Sequence, residues 1–293
     1  MNSSSNRNTL FLEEATILAQ ETHPGNQYVL RLQAPQTALH AEPGHFVFLR
    51  CDACLPMRRP MSIMRANKTS GWIDILYTIH GFGTELLSQK RSGNIINLLG
   101  PIGMPFKLEG YRRRPLLIGG GVGIPPPMVF LAEHMKKAAA TLAPLALMGS
   151  EIPFPFKPRP SRFMISGIPA SVIAAMPLLE DWGLPSRLAS LKGFPGCFEG
   201  FVTDLARGWL DAQGPEHRLE VEIFACGPTP MLEAVARLAK DYELPCQISL
   251  EEYMACAVGG CAGCAVQVLT QTGPVMKRIC VDGPVFEAAT VVF

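Results

Sequence analysis

Short β-type runs of mainly apolar residues alternate with turns from Leu10 to about Leu108, at 28–32, 45–51, 61–65, 72–78 and 95–98. Several short strands at this spacing predict an antiparallel barrel or sandwich. The texture changes after Arg112, Arg113 and Arg114. An apolar strand at 116–118 runs into a glycine-rich turn and a helix over about 128–137. Further apolar strands are expected at 145–148, 163–166 and 221–225, with a helix over about 230–241. Strands alternating with helices predict a parallel α/β sheet. Residues 150–200 are rich in proline and have no clear period. The fold class expected is therefore multidomain, β followed by α/β: residues 1–9 a disordered tail, 10–110 an antiparallel β-barrel, 111–250 a parallel α/β nucleotide-binding domain, and 251–293 a small C-terminal module.

That last module carries the sharpest chemical signal. Cys256, Cys261 and Cys264 follow C-x4-C-x2-C, and Cys280 supplies a fourth thiol. This is the spacing of a plant-type [2Fe-2S] centre, which draws four thiolates from a tightly curled loop. Gly259, Gly260 and Gly263 are expected to stand where a Cβ would block the turn or cover an inorganic sulfur. A four-cysteine zinc site in a non-catalytic interface protein is the alternative, but structural zinc usually takes two C-x2-4-C pairs, whereas Cys280 stands alone.

Two other constellations belong to nucleotide chemistry. Arg59, Pro60, Met61 and Ser62 lie in the β-rich part, and Gly83-Thr84 follows at a turn. An arginine fork suits a pyrophosphate, a serine hydroxyl the edge of a flavin ring, and a Gly-Thr turn offers backbone N–H groups to phosphate. Gly119, Gly120, Gly121 and Gly123 follow the strand at 116–118. Cys226, Gly227 and Pro228 follow the strand at 221–225, at the carboxyl edge where α/β sheets bind ligands. The glycine spacing is not G-x-G-x-x-G. Glu151 could take a ribose hydroxyl, but a solvated loop acid is the favoured reading. Cys51 and Cys54, a C-x2-C pair without a second pair nearby, and Cys197 and Cys246 read as incidental.

Composition narrows the partners. The 293 residues are 48% apolar and 17% charged, with a net charge of +1, which argues against nucleic acid or an anionic membrane. The longest apolar run is broken by glycines and prolines, so no membrane span is expected. The N-terminus shows no apolar signal segment, and nine cysteines that include a reduced cluster set point to the cytoplasm.

In order, R-P-x-S, G-x-G-T, GGGxGxxP, CGPxxM and the C-terminal C-x4-C-x2-C loop resemble the ferredoxin-NAD(P) reductase superfamily, and within it most closely the electron-transfer subunits of NAD-linked dihydroorotate dehydrogenases. The likeness extends to the residues around Cys280, Ile279 to Phe286, and to Leu250-Glu251-Glu252. It implies FAD, [2Fe-2S] and NAD as cofactors. FAD would be held by Arg59, Pro60, Met61, Ser62, Leu76, Tyr77, Thr78, Gly83 and Thr84, with Tyr77 equally readable as a barrel-core aromatic. Cys226 would lie near the nicotinamide. The partner implied is an FMN-containing dihydroorotate dehydrogenase catalytic subunit in a heterotetramer of two plus two. The role implied is relay of electrons to NAD+ in pyrimidine biosynthesis. A related ferredoxin or sulfide dehydrogenase reductase subunit is the nearest alternative within the superfamily.

Overall fold

The computed structural model describes residues 10–121, 124–136 and 141–293. The expected N-terminal tail and Gly123 lie outside them. The chain divides into two compact units, one comprising the residues up to Phe106 with Glu252–Val285, the other Lys107–Glu251 with Phe286–Val291.

The first unit is built on a closed antiparallel barrel of β1 (Phe11–His23), β2 (Gln27–Gln33), β3 (Phe46–Leu49), β4 (Arg59–Asn67), β5 (Trp72–Thr78) and β6 (Ile95–Ile102), in the order β1-β2-β5-β4-β3-β6. Helix α1 (Pro35–His40) follows β2, and α2 (Phe82–Ser88) follows β5. The β-type runs read from the sequence become barrel strands that bury their apolar side chains, β3 at all four positions and β5 at 73 and 75–77. Leu30 and Leu32 of β2 oppose Ile75 and Ile73 of β5, and all four are fully buried. The intervening Asp74 is 2% exposed and is held by a fork from Arg31, Nε to Oδ1 at 2.7 Å and Nη2 to Oδ2 at 2.8 Å. The guanidinium also lies 3.9 Å over the Trp72 ring. Arg31→Ala would strand a buried carboxylate, so we expect a loss of roughly 3 kcal/mol in denaturant unfolding, and a loss below about 0.5 kcal/mol would show the pair to be dispensable.

The second unit holds β7 (Arg114–Gly121), α3 (Pro126–Lys136), β8 (Leu145–Ser150), the two-residue strands β9 (Arg159–Pro160) and β10 (Ala174–Ala175), α4 (Pro177–Asp181), β11 (Ser186–Ala189), α5 (Val202–Asp211), α6 (Pro215–Leu219), β12 (Val221–Cys226), α7 (Thr229–Asp241) and β13 (Cys246–Ser249). Five parallel strands run in the order β11-β8-β7-β12-β13. Their near-unbroken apolar runs reflect burial on both faces. The strand expected at 163–166 is absent. Its place in the sheet is taken by β11, while the proline-rich stretch is pinned by the buried Glu180, which accepts hydrogen bonds from Ser161 Oγ at 2.7 Å and the Arg162 N–H at 3.0 Å. Helix α5, also unforeseen, buries Val202, Leu205, Ala206, Trp209 and Leu210, the one-face spacing of an amphipathic helix. The arginine run is bolted to the sheet: Arg112 donates to Val221 O at 3.2 Å, and the Arg114 N–H donates to Glu220 O at 2.9 Å.

The C-terminal segment adds the hairpin β14 (Ala265–Thr270) and β15 (Gly273–Arg278), the single turn α8 (Ile279–Asp282), and β16 (Val285–Glu287), which extends the large sheet beside β13. Within the first unit it rests on the barrel at Gly103, where an added Cβ would meet Pro284 Cδ at 2.5 Å, and at Gly44, where one would meet Val285 Cγ2 at 2.9 Å. Among the described residues no helix is long and apolar enough to cross a membrane.

Candidate functional site

The barrel opens between β4 and β5. Their ladder stops at Ile63↔Ile75, so Arg59 to Ser62 pair with β3 alone and Leu76 to Thr78 with β2 alone. A divergence of this kind leaves backbone N–H and C=O groups facing the gap. The two expected flavin segments of β4 and β5 are its two banks. Gly83, in the first turn of α2, lies under the Arg59 guanidinium: a Cβ there would stand 3.2 Å from Arg59 Nε. Folding has thus joined two motifs 24 positions apart.

Adjacent arginines have different tasks. Arg58 donates to Phe48 O at 3.2 Å and Asn97 O at 3.1 Å, tying β3 to β6. Arg59 Nη1 reaches only the neighbouring carbonyls of Met57 and Arg58, at 3.1 and 3.2 Å. Thr84 is 7% exposed, and its hydroxyl accepts the His80 N–H at 2.7 Å while donating to Gly81 O at 3.0 Å. Its side chain therefore shapes the turn. Tyr77 is 4% exposed; it stacks on Tyr28 at 5.3 Å and donates its hydroxyl to Gln20 Oε1 at 3.1 Å. Burial holds that phenol well above its ordinary pKa. Leu76 is likewise buried, so both residues bring mainly backbone to the gap. The sequence offered no sign of Gln20, whose amide also donates to Ser88 O and Lys90 O at 2.9 and 3.0 Å and so fixes the end of α2.

In the second unit, successive strands are added outward from β7 through β8 to β11 on one side, and from β12 to β13 on the other. The point where this direction reverses, at the carboxyl ends of β7 and β12, is where doubly wound sheets take nucleotides. Gly119, Gly120 and Gly121 end β7, and Cys226 ends β12 directly alongside, with Gly227 and Pro228 after it, Gly119 opposite Cys226 and Cys226 opposite Ser249. A Cβ on Gly120 would stand 2.4 Å from Met231 Sδ, and one on Gly227 2.7 Å from Met231 Cε, so both glycines lie against the end of the Met231 side chain. Gly121 has φ of +106°. The Cys226 thiol is 1% exposed, and burial, then the charge of Glu251, push its pKa well up against a hydrogen bond from Ser249. It is a neutral thiol at the floor of this edge. Glu151 accepts the Leu191 N–H at 3.2 Å.

The four expected cluster cysteines come together as two pairs. Cys264 and Cys280 are buried with their sulfurs 3.4 Å apart. Burial raises the Cys256 thiol, but N–H groups of Val258, Cys261 and Gly260 and the Cys261 side chain outweigh it and bring the pKa down to about 7. Cys280 is raised by burial first and then by Cys264, against a hydrogen bond from the Gly259 N–H, and it also feels the charge of Cys256. Ala257 and Ala262, each just after a cysteine, take φ of +56° and +54°, strained for residues with a Cβ. Of the three loop glycines only Gly259 is demanded by the chain itself: its φ is +80°, and a Cβ there would stand 2.6 Å from Val281 Cγ2. Gly260 faces open space, and Gly263 meets only Cys261 Sγ at 3.5 Å. Soft thiolates held in two pairs by a tight loop suit a two-iron cluster. Cys51 is buried, and Cys54 is exposed beside the Asp52–Lys90 ion pair at 2.9 Å.

Residues 10–106 match the oxidoreductase FAD-binding domain family, and residues 251–292 match the iron-sulfur cluster binding domain of dihydroorotate dehydrogenase B. Over 285 residues, 96% of this chain and 98% of the relative, it is 30% identical to the electron transfer subunit of dihydroorotate dehydrogenase B (NAD(+)) from Geobacillus sp. (strain WCH70). The corresponding subunit of Caldanaerobacter subterraneus subsp. tengcongensis is 34% identical over 253 residues, 86% of this chain and 87% of that one. Among solved structures, an NADH-dependent reduced ferredoxin-NADP oxidoreductase superposes with a TM-score of 0.76 at 24% identity, covering 96% of this chain and 90% of the other. The ferredoxin reductase of carbazole 1,9a-dioxygenase gives 0.61 at 20% identity, covering 80% and 67%. These two likenesses establish the reductase fold.

Proposed function

The chain belongs to the family of electron transfer subunits of dihydroorotate dehydrogenase B (NAD(+)), an oxidoreductase subunit with an FAD-binding domain and an iron-sulfur domain, and from that premise we propose that it relays electrons from an FMN-containing catalytic subunit to NAD+ in pyrimidine biosynthesis. The observation that carries this reading is the pairing of Cys256 with Cys261 and of Cys264 with Cys280 in one loop system.

FAD, when bound, exchanges electron pairs with a nicotinamide and single electrons with an iron-sulfur centre. The chain's residues supply the rest. Arg59, with Gly83 beneath it, binds pyrophosphate; the backbone of Pro60, Met61, Ser62, Leu76, Tyr77 and Thr78 orients the flavin in the gap between β4 and β5; Thr84 sets the turn. Gly119, Gly120, Gly121, Gly123, Gly227 and Pro228 let the dinucleotide approach the sheet edge. Cys226, at the end of β12 beside Gly119, lies close to where the nicotinamide would sit. Residues 10–110, 111–250 and 251–293 serve as flavin, nicotinamide and cluster modules. A reducing cytoplasm suits a chain whose nine cysteines are all free, and two copies with two catalytic subunits form the assembly.

The isolated chain, purified without oxygen, should contain iron and acid-labile sulfide, oxidise NADH with an artificial dye, and leave dihydroorotate untouched until the catalytic subunit is added. The last expectation follows from size, because an FMN-binding (β/α)8 barrel alone takes about 250 residues. Stoichiometric zinc without sulfide, or dihydroorotate turnover by the single chain, would overturn the reading.

A further inference from the structure

We propose that Arg278 is a positioning residue that sets the redox poise of the four-cysteine site, by pinning the Gly259 backbone in the loop between Cys256 and Cys261 and by placing a positive charge against that loop. The proposal rests on the reading that Cys256, Cys261, Cys264 and Cys280 hold an iron-sulfur cluster.

Arg278 closes β15 opposite Ala265, the residue after Cys264, and stands two positions before Cys280. Its Nη1 donates to Gly259 O at 2.9 Å. Gly259 has φ of +80°, and a Cβ there would stand 2.6 Å from Val281 Cγ2 and 3.3 Å from Arg278 Nη1, so the loop passes close to both side chains. The guanidinium is itself oriented by Asp282: Nε lies 3.6 Å from Oδ2, and the Arg278 N–H donates to the same oxygen at 2.8 Å. Lys277 Nζ reaches the other carboxylate oxygen at 3.5 Å.

Reduction adds one electron to a centre already ringed by four thiolates, so nearby cations and N–H···S hydrogen bonds favour the reduced form. Arg278 contributes a cation and, through Gly259 O, holds the backbone of the loop that carries Cys256 and Cys261. Asp282 opposes the charge while holding the side chain in place.

The two residues make opposite predictions, which separates poise from simple damage. In the complete protein, the midpoint of the cluster is read by anaerobic redox titration of its electron paramagnetic resonance signal. Arg278→Gln should make reduction about tenfold less favourable, a shift of about 59 mV to more negative potential for one electron. Asp282→Asn keeps the acceptor for the Arg278 N–H but removes the charge, and should move the midpoint the other way. An unchanged potential in Arg278→Gln with iron and sulfide intact would overturn the proposal. If that variant fails to retain its cluster, Asp282→Asn decides alone: an unchanged or more negative potential overturns it. Wild type lacking iron and sulfide would instead sink the cluster reading beneath it.

Discussion

Cys264→Ser is expected to abolish dihydroorotate-dependent reduction of NAD+ in the assembled complex while leaving much of the NADH-to-dye activity that needs only flavin. Cys264 is 3% exposed and its sulfur lies 3.4 Å from that of Cys280. A serine hydroxyl is a harder donor with a far higher pKa than a thiol, so it does not replace the soft thiolate that iron-sulfur chemistry selects. Loss of groups that merely orient metal ligands costs roughly 10- to 100-fold, so loss of a ligand should exceed about 100-fold in the coupled reaction. The barrel folds around its own core of Leu30, Leu32, Ile73 and Ile75, and flavin content should be unchanged. Undiminished coupling in this variant would remove Cys264 from the relay.

Arg59→Ala should weaken FAD binding about thirtyfold, on the order of 2 kcal/mol, the worth of a charge-assisted contact to phosphate. Equilibrium dialysis or flavin fluorescence of the reconstituted apoprotein reads this directly. The neighbouring arginine is the control. Arg58 ties β3 to β6 through the carbonyls of Phe48 and Asn97, so Arg58→Ala should lower the unfolding free energy of the apoprotein by about 1–3 kcal/mol, whereas Arg59→Ala should leave it nearly unchanged. Equal FAD affinity in wild type and Arg59→Ala would take Arg59 out of the site.

The order of residues along the chain was enough to reveal the chemistry wherever ligand type and short spacing suffice. Cys256, Cys261 and Cys264 sit within nine residues, and their pattern names a cluster before any fold is known. The short β-type runs and the glycine run after 116–118 were legible for the same reason, since side-chain type and missing side chains are local properties. Long-range pairing was not. That β4 and β5 part beyond Ile63↔Ile75, and that Gly83 lies under Arg59, depends on strand register and loop closure, which no window of a dozen residues contains. The 163–166 run looked like a strand because it is apolar, but the sheet position went to Ser186–Ala189, where Ser186 Oγ accepts the Met176 N–H at 3.0 Å. Glycine meaning was also decided in three dimensions: Val281 demands Gly259, while Gly260 and Gly263 meet no such wall. Two adjacent arginines look interchangeable in sequence; it took the folded chain, by giving Arg58 carbonyls from two strands and Arg59 the open gap, to assign one to the scaffold and the other to the ligand edge.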